Sequence, residues 1–374
     1  MKRNLLIIAL FIFNISNGQT NKRTTDEEKL TKCILENTNS FTFDGQKAYG
    51  KGWNILDSLF FYNQFVAWGE YHNSPLLSQL TAYSLESASK YGFKNWCIET
   101  SPFLASELFK FSRSKNTTDT ILRIAEKVGL PFFSTKEDAS MLIAVNKFNY
   151  NIWGLDQECQ ATFPYCINAI YNSQPKNFRK DYKPVYDSLI AKWWYPSNKL
   201  LDSLKKGMTN SKYEYLINDI KIGKNQVEEN DNAQRAEVMK SNFFSYYDKA
   251  RTKDEKVFFK MGANHLAKGM NLYTKLFDIG NAVFELSQRN KTKFANVYIM
   301  VRYTENKGVI TDDFLEKENE YPKVFTKLYE KEKWVLVDLK DLRLRIGYDN
   351  SLTADTYKAI EKYDYVLVSP EILK

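Results

Sequence analysis

A strand–helix–strand pattern over residues 65–99 places the strongest constraint on the fold of this sequence. An apolar run at 65–68 stops at Gly69, and a second at 95–98 follows about one helix later. Between them Ser74-Pro75 gives a capping residue and a proline at the first helical position. Two strands joined by such a crossover run parallel, and their carboxyl ends meet at one edge of the sheet. The pattern therefore predicts an α/β fold with a largely parallel sheet flanked by helices.

The rest of the chain continues this alternation of helices and strands. The polar residues 19–44 are predicted to form an N-terminal arm with a helix near 27–36, and 45–374 a single α/β domain. Within that domain, residues 176–250 are mostly helical in pattern and are predicted to form an insertion over the carboxyl edge of the sheet. Helices are also predicted at 104–111, 119–128 and 136–148, and strands at 151–156 (with an acid at its end), 256–261, 282–286, 296–302, 334–337 and 363–368.

The first 18 residues have the order of a secretory signal peptide. Lys2 and Arg3 precede an apolar stretch at 5–15, and Ser16-Asn17-Gly18 supplies small residues for a signal peptidase. The apolar stretch is too short to span a bilayer as a mature helix, and no later stretch is long and apolar enough. We therefore expect an exported protein, periplasmic or secreted, that begins near Gln19 and has no stable membrane span.

The charge and cysteine content exclude several functional classes. The net charge of +8 is small for 374 residues, and the lysines are spread among acidic residues, which indicates a solvated surface and no nucleic-acid partner. The four cysteines form no CxxC motif and no cluster with zinc spacing. Cys159 and Cys166 flank a short loop and could pair after export, whereas Cys97 fits the core. The partner that we expect is a small-molecule substrate.

Both histidines of the chain follow apolar runs that end in glycine. His72 comes after the first strand together with Glu70, and His265 comes after the strand at 256–261. Glu99 and Asp156 follow two further predicted strands. Ligands of α/β proteins bind at the carboxyl edge of the sheet, so these side chains are predicted to form one site there.

Two hydrolytic mechanisms fit these residue types. In the first, His72 is a general base that activates water, Glu70 or Glu99 fixes its tautomer, and His265 beside Asn264 helps a cation to stabilise the oxyanion. The positive end of the helix that follows is expected to keep His72 neutral. In the second, the imidazoles and carboxylates hold a divalent metal with an open position for water. Covalent catalysis is disfavoured, because the chain has no GxSxG motif and no cysteine at a site turn.

The order of the motifs resembles the erythromycin-esterase-like families of the Tiki superfamily. The resemblance covers about residues 65–370 and implies a hydrolase of esters, lactones or amides that requires no cofactor. It adds Arg235 to the catalytic candidates His72, Glu70, Glu99, Asp156 and His265. The matching motifs are Gly69-Glu70-Tyr71-His72, Ile98-Glu99, Glu137 with the helix to Asn149, Gly154-Leu155-Asp156, Arg235 to Met239 with Asn242, Asn264-His265, and the closing strand at 363–368.

The sequence departs from the esterases in its first motif. Those enzymes place two residues between the glutamate and the histidine, whereas this chain has only Tyr71 there. The shorter turn is closer to the haem-uptake and Tiki metalloprotease branches. A haem or iron binder, ligated by a histidine or a tyrosine, and a metal-dependent protease therefore remain as alternatives. A divalent metal would take His72, His265, Glu70 and Glu99 as its ligands.

Some candidates also have purely structural interpretations. Asp156 could simply cap a turn, and Arg235 could simply pair with a glutamate on the surface of its own helix, without any role in a site. Glu137 could be a charge at the beginning of a surface helix. The aromatic run Trp193-Trp194-Tyr195 fits core packing better than a lid over the substrate.

Overall fold

The structure is a computed structural model that includes side chains. The predicted signal peptide and Trp193 lie outside the residues that it describes. The described residues are 28, 30–191, 194–250, 254–306, 308–316, 321–346 and 354–371.

The described strands form a nine-stranded sheet and a separate two-stranded hairpin, β8–β9. The order in the sheet is β2-β1-β10-β11-β7-β3-β6-β4-β5, and the six strands from β11 to β5 are parallel. The largely parallel sheet predicted from the sequence is therefore confirmed. The strands are β1 Thr38–Phe43, β2 Ala48–Tyr49, β3 Phe65–Glu70, β4 Asn95–Ile98, β5 Asn151–Gly154, β6 Val257–Gly262, β7 Phe294–Met300, β8 Tyr303–Asn306, β9 Val309–Asp312, β10 Lys333–Asp338 and β11 Tyr365–Val368.

Helices cover both faces of the sheet. No described helix has both the length and the apolar character that crossing a bilayer requires. The helices are α1 Lys51–Tyr62, α2 Pro75–Ser89, α3 Pro102–Ser112, α4 Thr117–Val128, α5 Lys136–Lys147, α6 Phe163–Ser173, α7 Lys176–Asp181, α8 Lys183–Ile190, α9 Asn198–Gly207, α10 Tyr215–Glu229, α11 Asn232–Tyr247, α12 Ala263–Leu266, α13 Ile279–Arg289, α14 Asp313–Glu316, α15 Lys323–Thr326, α16 Leu339–Ile346 and α17 Ala354–Lys362.

The core lies on both faces of the parallel strands. Alternate residues of one strand point to opposite faces, so Val66 and Trp68 join one buried cluster and Phe65 and Ala67 join another. The first cluster includes side chains of α2, α3 and α5, and the second includes side chains of α11 and α13. Because Glu70 follows Trp68 by two positions, its carboxylate is on the face of the first cluster.

Two parts of the chain differ from the sequence prediction. The strand predicted at 282–286 is wrong: these residues belong to helix α13, whose Asp278 cap accepts the N–H of Ile279 and whose buried residues follow helical spacing. Strand β1 lies within the predicted arm, and it pairs with β10 as part of the main sheet. The predicted helical region at 176–250 contains α7 to α11. Cys159 and Cys166 are free thiols and form no disulfide.

Candidate active site

His72 is positioned by the sharp turn between β3 and α2. Asn73 has a φ of 67°, a conformation that asparagine tolerates better than most residues, and its carbonyl accepts the N–H of Glu305 at 2.7 Å. The Ser74 side chain then caps α2, as predicted, and Pro75 begins the helix. The turn fixes the direction in which the imidazole leaves the sheet.

The imidazole of His72 lies between two carboxylates. Its Nδ1 is 3.1 Å from Oε1 of Glu70, and its Nε2 is 3.4 Å from Oε2 of Glu99. The ring packs on Phe132 with 4.1 Å between ring centroids. The His72 side chain is 27% exposed, while both glutamates are buried. A ligand can therefore approach the ring while its two nitrogens are held.

Glu99 is the central carboxylate of the site. Its Oε1 accepts a hydrogen bond from Arg235 Nη2 at 2.8 Å and lies 3.5 Å from His265 Nε2. Its Oε2 accepts the N–H of Gly262 at 2.5 Å. A Cβ at residue 262 would lie 2.9 Å from that oxygen and 3.2 Å from His72 Nε2. The close approach of both groups explains why β6 ends in glycine.

Arg235 joins the end of β5 to Glu99. Its Nε donates to Oδ1 of Asp156 at 3.0 Å, and its Nη2 donates to Oδ2 at 2.5 Å. Asn242 lies about two helical turns further along α11. Its side-chain amide donates to the carbonyl of Leu155 and fixes the helix against the end of the strand. Arg235 is therefore part of the site and not a surface pair on its own helix. Its Nη1 has no protein partner within the described residues.

His265 is held by an acid from the helix that follows it. Its Nδ1 is 2.7 Å from Oδ2 of Asp278, the capping residue of α13. The oxygen of the Asn264 side chain accepts the N–H of Tyr273 at 2.9 Å. His265 is thereby fixed with its second nitrogen toward Glu99.

Lys260 belongs to the site although the sequence argument passed over it. It is 8% exposed and donates to Oε1 of Glu70 at 2.6 Å. A lysine in the otherwise apolar strand Val257–Gly262 needs a buried acid as partner, and this was the available signal. Asp278 and Phe132 were also missed, and neither carries a comparable local signal.

All six catalytic candidates of the sequence analysis come together in this network. With both histidines protonated, its acidic and basic groups balance. Burial of charge is tolerated only when it is paired, so this balance makes the network compatible with its position under the sheet edge. The four acids are Glu70, Glu99, Asp156 and Asp278, and the four bases are Lys260, Arg235, His72 and His265.

The neighbouring carboxylates set the protonation of the histidines. Burial lowers the pKa of His72, but the charges and hydrogen bonds of Glu99 and Glu70 outweigh it and raise this pKa to about 9. Burial also lowers the pKa of His265, but the charges and hydrogen bonds of Glu99 and Asp278 outweigh this effect and raise the pKa to about 10. Burial would raise the pKa of Glu99, yet the two histidines hold it well below its usual value. The expectation that the helix end keeps His72 neutral is therefore wrong.

A small cavity opens beside His72. Its volume of about 10 Å³ is enough for about one water molecule. Glu70, Glu99 and Lys260 supply its polar wall, and Phe132 and Met141 belong to its apolar wall. Water at this position would lie among the side chains that could activate it.

The donor set fits neither a metal ion nor haem in this arrangement. Within the described ranges, no three His, Cys, Asp or Glu side chains are grouped so that they could hold a metal ion. Glu70 is bound to the Lys260 ammonium, and Glu99 to the Arg235 guanidinium. Haem needs a broad apolar face beside its ligand, whereas the cavity at His72 has room for about one water.

Replacement of Lys260 tests the charge pairing of this network. Burial alone would raise the pKa of Glu70, but Lys260 and His72 hold it below its usual value. Lys260→Met leaves this buried carboxylate with His72 alone, so we expect a loss of about 3 kcal/mol in the free energy of unfolding. Urea unfolding measures the loss.

Lys333→Met is the matched control for that experiment. Lys333 is also a strand lysine paired with a glutamate, Glu330, but the pair is exposed. Removal of an exposed pair should cost under about 1 kcal/mol. Equal losses for the two variants would contradict the pairing described here.

Solved structures share this fold at low sequence identity. A mutant of the erythromycin esterase EreC in its open conformation gives a TM-score of 0.53 at 14% identity, over 85% of this chain and 93% of that one. A protein from Bacillus cereus gives 0.54 at 13%, over 92% and 97%. A succinoglycan biosynthesis protein gives 0.52 at 13%, also over 92% and 97%. The fold expected from the sequence resemblance is confirmed. No protein-family model and no curated protein sequence matches the chain.

Proposed function

We propose that this protein is an exported hydrolase that uses activated water to cleave an ester, a lactone or an amide. One observation carries the proposal: His72 is held at both ring nitrogens by carboxylates, keeps an exposed edge, and borders a cavity for about one water. A histidine oriented by a carboxylate is the arrangement that general-base catalysis requires.

The proposed reaction begins with neutral His72. Its Nε2 takes a proton from water, the water oxygen bonds to the carbonyl carbon, and the carbonyl electron pair moves to the oxygen. Glu70 at Nδ1 holds the tautomer and stabilises the imidazolium. The imidazolium then returns its proton to the leaving group as the bond to the carbonyl carbon breaks. The incoming water replaces the 3.4 Å contact of Nε2 with Glu99.

Arg235 and His265 supply the positive charge for the oxyanion. The Nη1 group of Arg235 is without a protein partner in the described part of the chain, and the guanidinium is held rigidly by Asp156. His265 carries charge near Glu99 because its pKa is raised to about 10. Donors fixed before the reaction stabilise developing negative charge most effectively.

Similarity of fold supports an ester substrate in particular. One solved structure with this fold is an erythromycin esterase, and the sequence motifs of this chain occur in the order expected of such esterases. The esterase assignment is favoured over the metalloprotease and the haem binder, because Lys260 and Arg235 already occupy the carboxylates that a metal would need.

A substrate panel tests the proposed function. Purified protein should hydrolyse members of a set of aryl esters, lactones and anilides, and the His72→Ala variant should be inactive on the same compounds. Metal analysis, with rates before and after chelation, distinguishes a metal-dependent protease. Hemin titration followed by absorbance distinguishes a haem binder. Activity lost on chelation, or a panel with no turnover, would contradict the proposal.

Export is tested separately by the identity of the mature N-terminus. The basic, apolar and small-residue order of residues 1–18 predicts cleavage before Gln19. N-terminal sequencing of material from the periplasm or the medium should therefore begin near Gln19. Recovery of the intact N-terminus in a membrane fraction would contradict export.

A further inference from the structure

A second cavity has Asp156, the ion-pair partner of Arg235, in its wall. Its volume is about 320 Å³, and it contains acids but no lysine or arginine among its lining residues. Phe103, Tyr215 and Val238 contribute apolar or aromatic surface, and Asp156, Glu158 and Asp219 contribute carboxyl groups. Arg235 pairs with Asp156, so Glu158 and Asp219 are the acids of this wall that form no ion pair with a described cation.

Glu158 is the unusual member of this cavity wall. It is only 2% exposed, and within the described residues no side chain makes a hydrogen bond of good geometry to either of its carboxyl oxygens. Burial raises its pKa; weak side-chain hydrogen bonds from Ser101, Thr162 and Cys166 partly offset this effect, and the charge of Asp219 adds to it. Buried polar groups without partners are rare in folded proteins, and such a group in a cavity wall indicates that a ligand supplies the partner.

The neighbouring groups are also unfilled acceptors. The Oε1 atom of Gln157 is buried without a partner, while its amide nitrogen donates to Gln226 at 2.6 Å. Asp219 is partly buried, and burial raises the pKa of its carboxyl group. No ion pair joins Asp219 to a described cation. The wall therefore offers negative charge and acceptors, and a ligand that fits it must supply hydrogen-bond donors and positive charge.

We propose that this cavity binds the ammonium group of an amine-bearing substrate, with Glu158 and Asp219 as its counter-charges. A primary ammonium has three donors and matches the unfilled oxygens of Glu158 and Gln157. The apolar residues Phe103 and Val238 would contact the carbon skeleton next to the amine. A divalent metal is a poorer fit, since no described group of three ligating side chains forms a metal site here.

The position of the cavity makes it a specificity subsite. This step rests on the proposed hydrolase function. Asp156 lines the cavity and binds Arg235, which binds Glu99, so one short chain of contacts joins the ammonium cavity to the candidate active site. The two cavities have no lining residue in common, so a substrate with its amine beside Glu158 must extend past the Asp156–Arg235 ion pair to reach His72.

Direct binding tests the subsite without any need for turnover. Isothermal titration should show benzylammonium binding to the wild-type protein at least tenfold more tightly than benzyl alcohol, a neutral molecule of similar shape. Glu158→Gln and Asp219→Asn should each weaken benzylammonium binding about tenfold and leave benzyl alcohol unchanged. Glu158→Gln keeps the shape of the neutral acid, so the empty protein should fold with an unchanged melting temperature.

A proton count supplies a second readout. Burial raises the pKa of Glu158 and a bound ammonium would lower it, so benzylammonium binding should be linked to proton release across the pH range in which Glu158 titrates. Titrations in two buffers of different ionisation enthalpy should show this release in the wild type and not in Glu158→Gln. Glu229→Gln, which removes an exposed acid from the same helix as Asp219, is the matched control and should change nothing.

The outcomes separate this proposal from the hydrolase proposal. If the wild-type protein cleaves no ester, and both it and His72→Ala bind benzylammonium, the subsite is supported and the hydrolase is refuted. Ester hydrolysis with no preference for amine-bearing substrates, and no benzylammonium binding, would refute the subsite alone. Equal binding of benzylammonium and benzyl alcohol, or binding unaffected by both substitutions, would overturn the subsite as well.

Discussion

Replacement of His72 by alanine is expected to lower kcat by about 10⁴-fold on any ester that the wild type cleaves. A positioned general base contributes about 10² to 10⁴ in rate, and the upper end applies because Glu70 fixes the tautomer of His72. No other described histidine lies at the cavity, so no second base replaces it. Steady-state kinetics on the best substrate of the panel measures the loss.

His265→Ala is the matched variant, since the two histidines share Glu99 as a neighbour. His265 contributes charge to the oxyanion and takes no proton in the proposed reaction. Its removal should cost about 10² to 10³ in rate, the usual loss for one oxyanion donor. Added imidazole should restore part of the rate in His72→Ala and none in His265→Ala.

Two results would contradict this assignment of roles. If His72→Ala keeps more activity than His265→Ala, the base and the oxyanion group have been exchanged. If both variants lose a bound metal together with activity, the metal mechanism replaces the one proposed here. Thermal unfolding of both variants separates loss of catalysis from loss of structure.

The sequence predicted the parts of the site that depend on strand order. Glu70, Glu99 and Asp156 each follow a parallel strand, and parallel strands bring their ends to one edge whatever the details of packing. The same rule placed His72 and His265 together. Arg235 came from the motif order of the resemblance, because its place on α11 carries no such topological constraint.

The sequence could not predict what depends on long-range charge. A helix end beside His72 is visible locally and favours neutral imidazole. The opposing charge comes from Glu99, which lies 27 positions away in the chain and reaches Nε2 only after β4 and β6 have paired. Helix α13 was predicted as a strand for a related reason: its short apolar run fits both periods, and the Asp278 cap that decides between them is held by His265.

The rate of hydrolysis is expected to rise about tenfold per pH unit from pH 7 toward pH 9. The general base must be neutral, and Glu99 and Glu70 raise the pKa of His72 to about 9 against the opposing effect of burial. At pH 7 only about one molecule in a hundred would then carry the neutral base. The value of kcat/KM, which reports ionisations of the free enzyme, should therefore rise with pH and reach half of its maximum near pH 9.

Nuclear magnetic resonance gives the same quantity without any substrate. The chain has only two histidines, so its imidazole resonances should resolve into two titrations, near pH 9 for His72 and near pH 10 for His265. Glu99→Gln removes the acid that both histidines face and should move both midpoints, together with the midpoint of the rate profile, to lower pH. Glu330→Gln removes an exposed acid that pairs with Lys333, and it should leave both histidine midpoints and the midpoint of the rate profile unchanged. A His72 midpoint near the ordinary value of about 6.5 in the wild type would show that the carboxylates do not control the base.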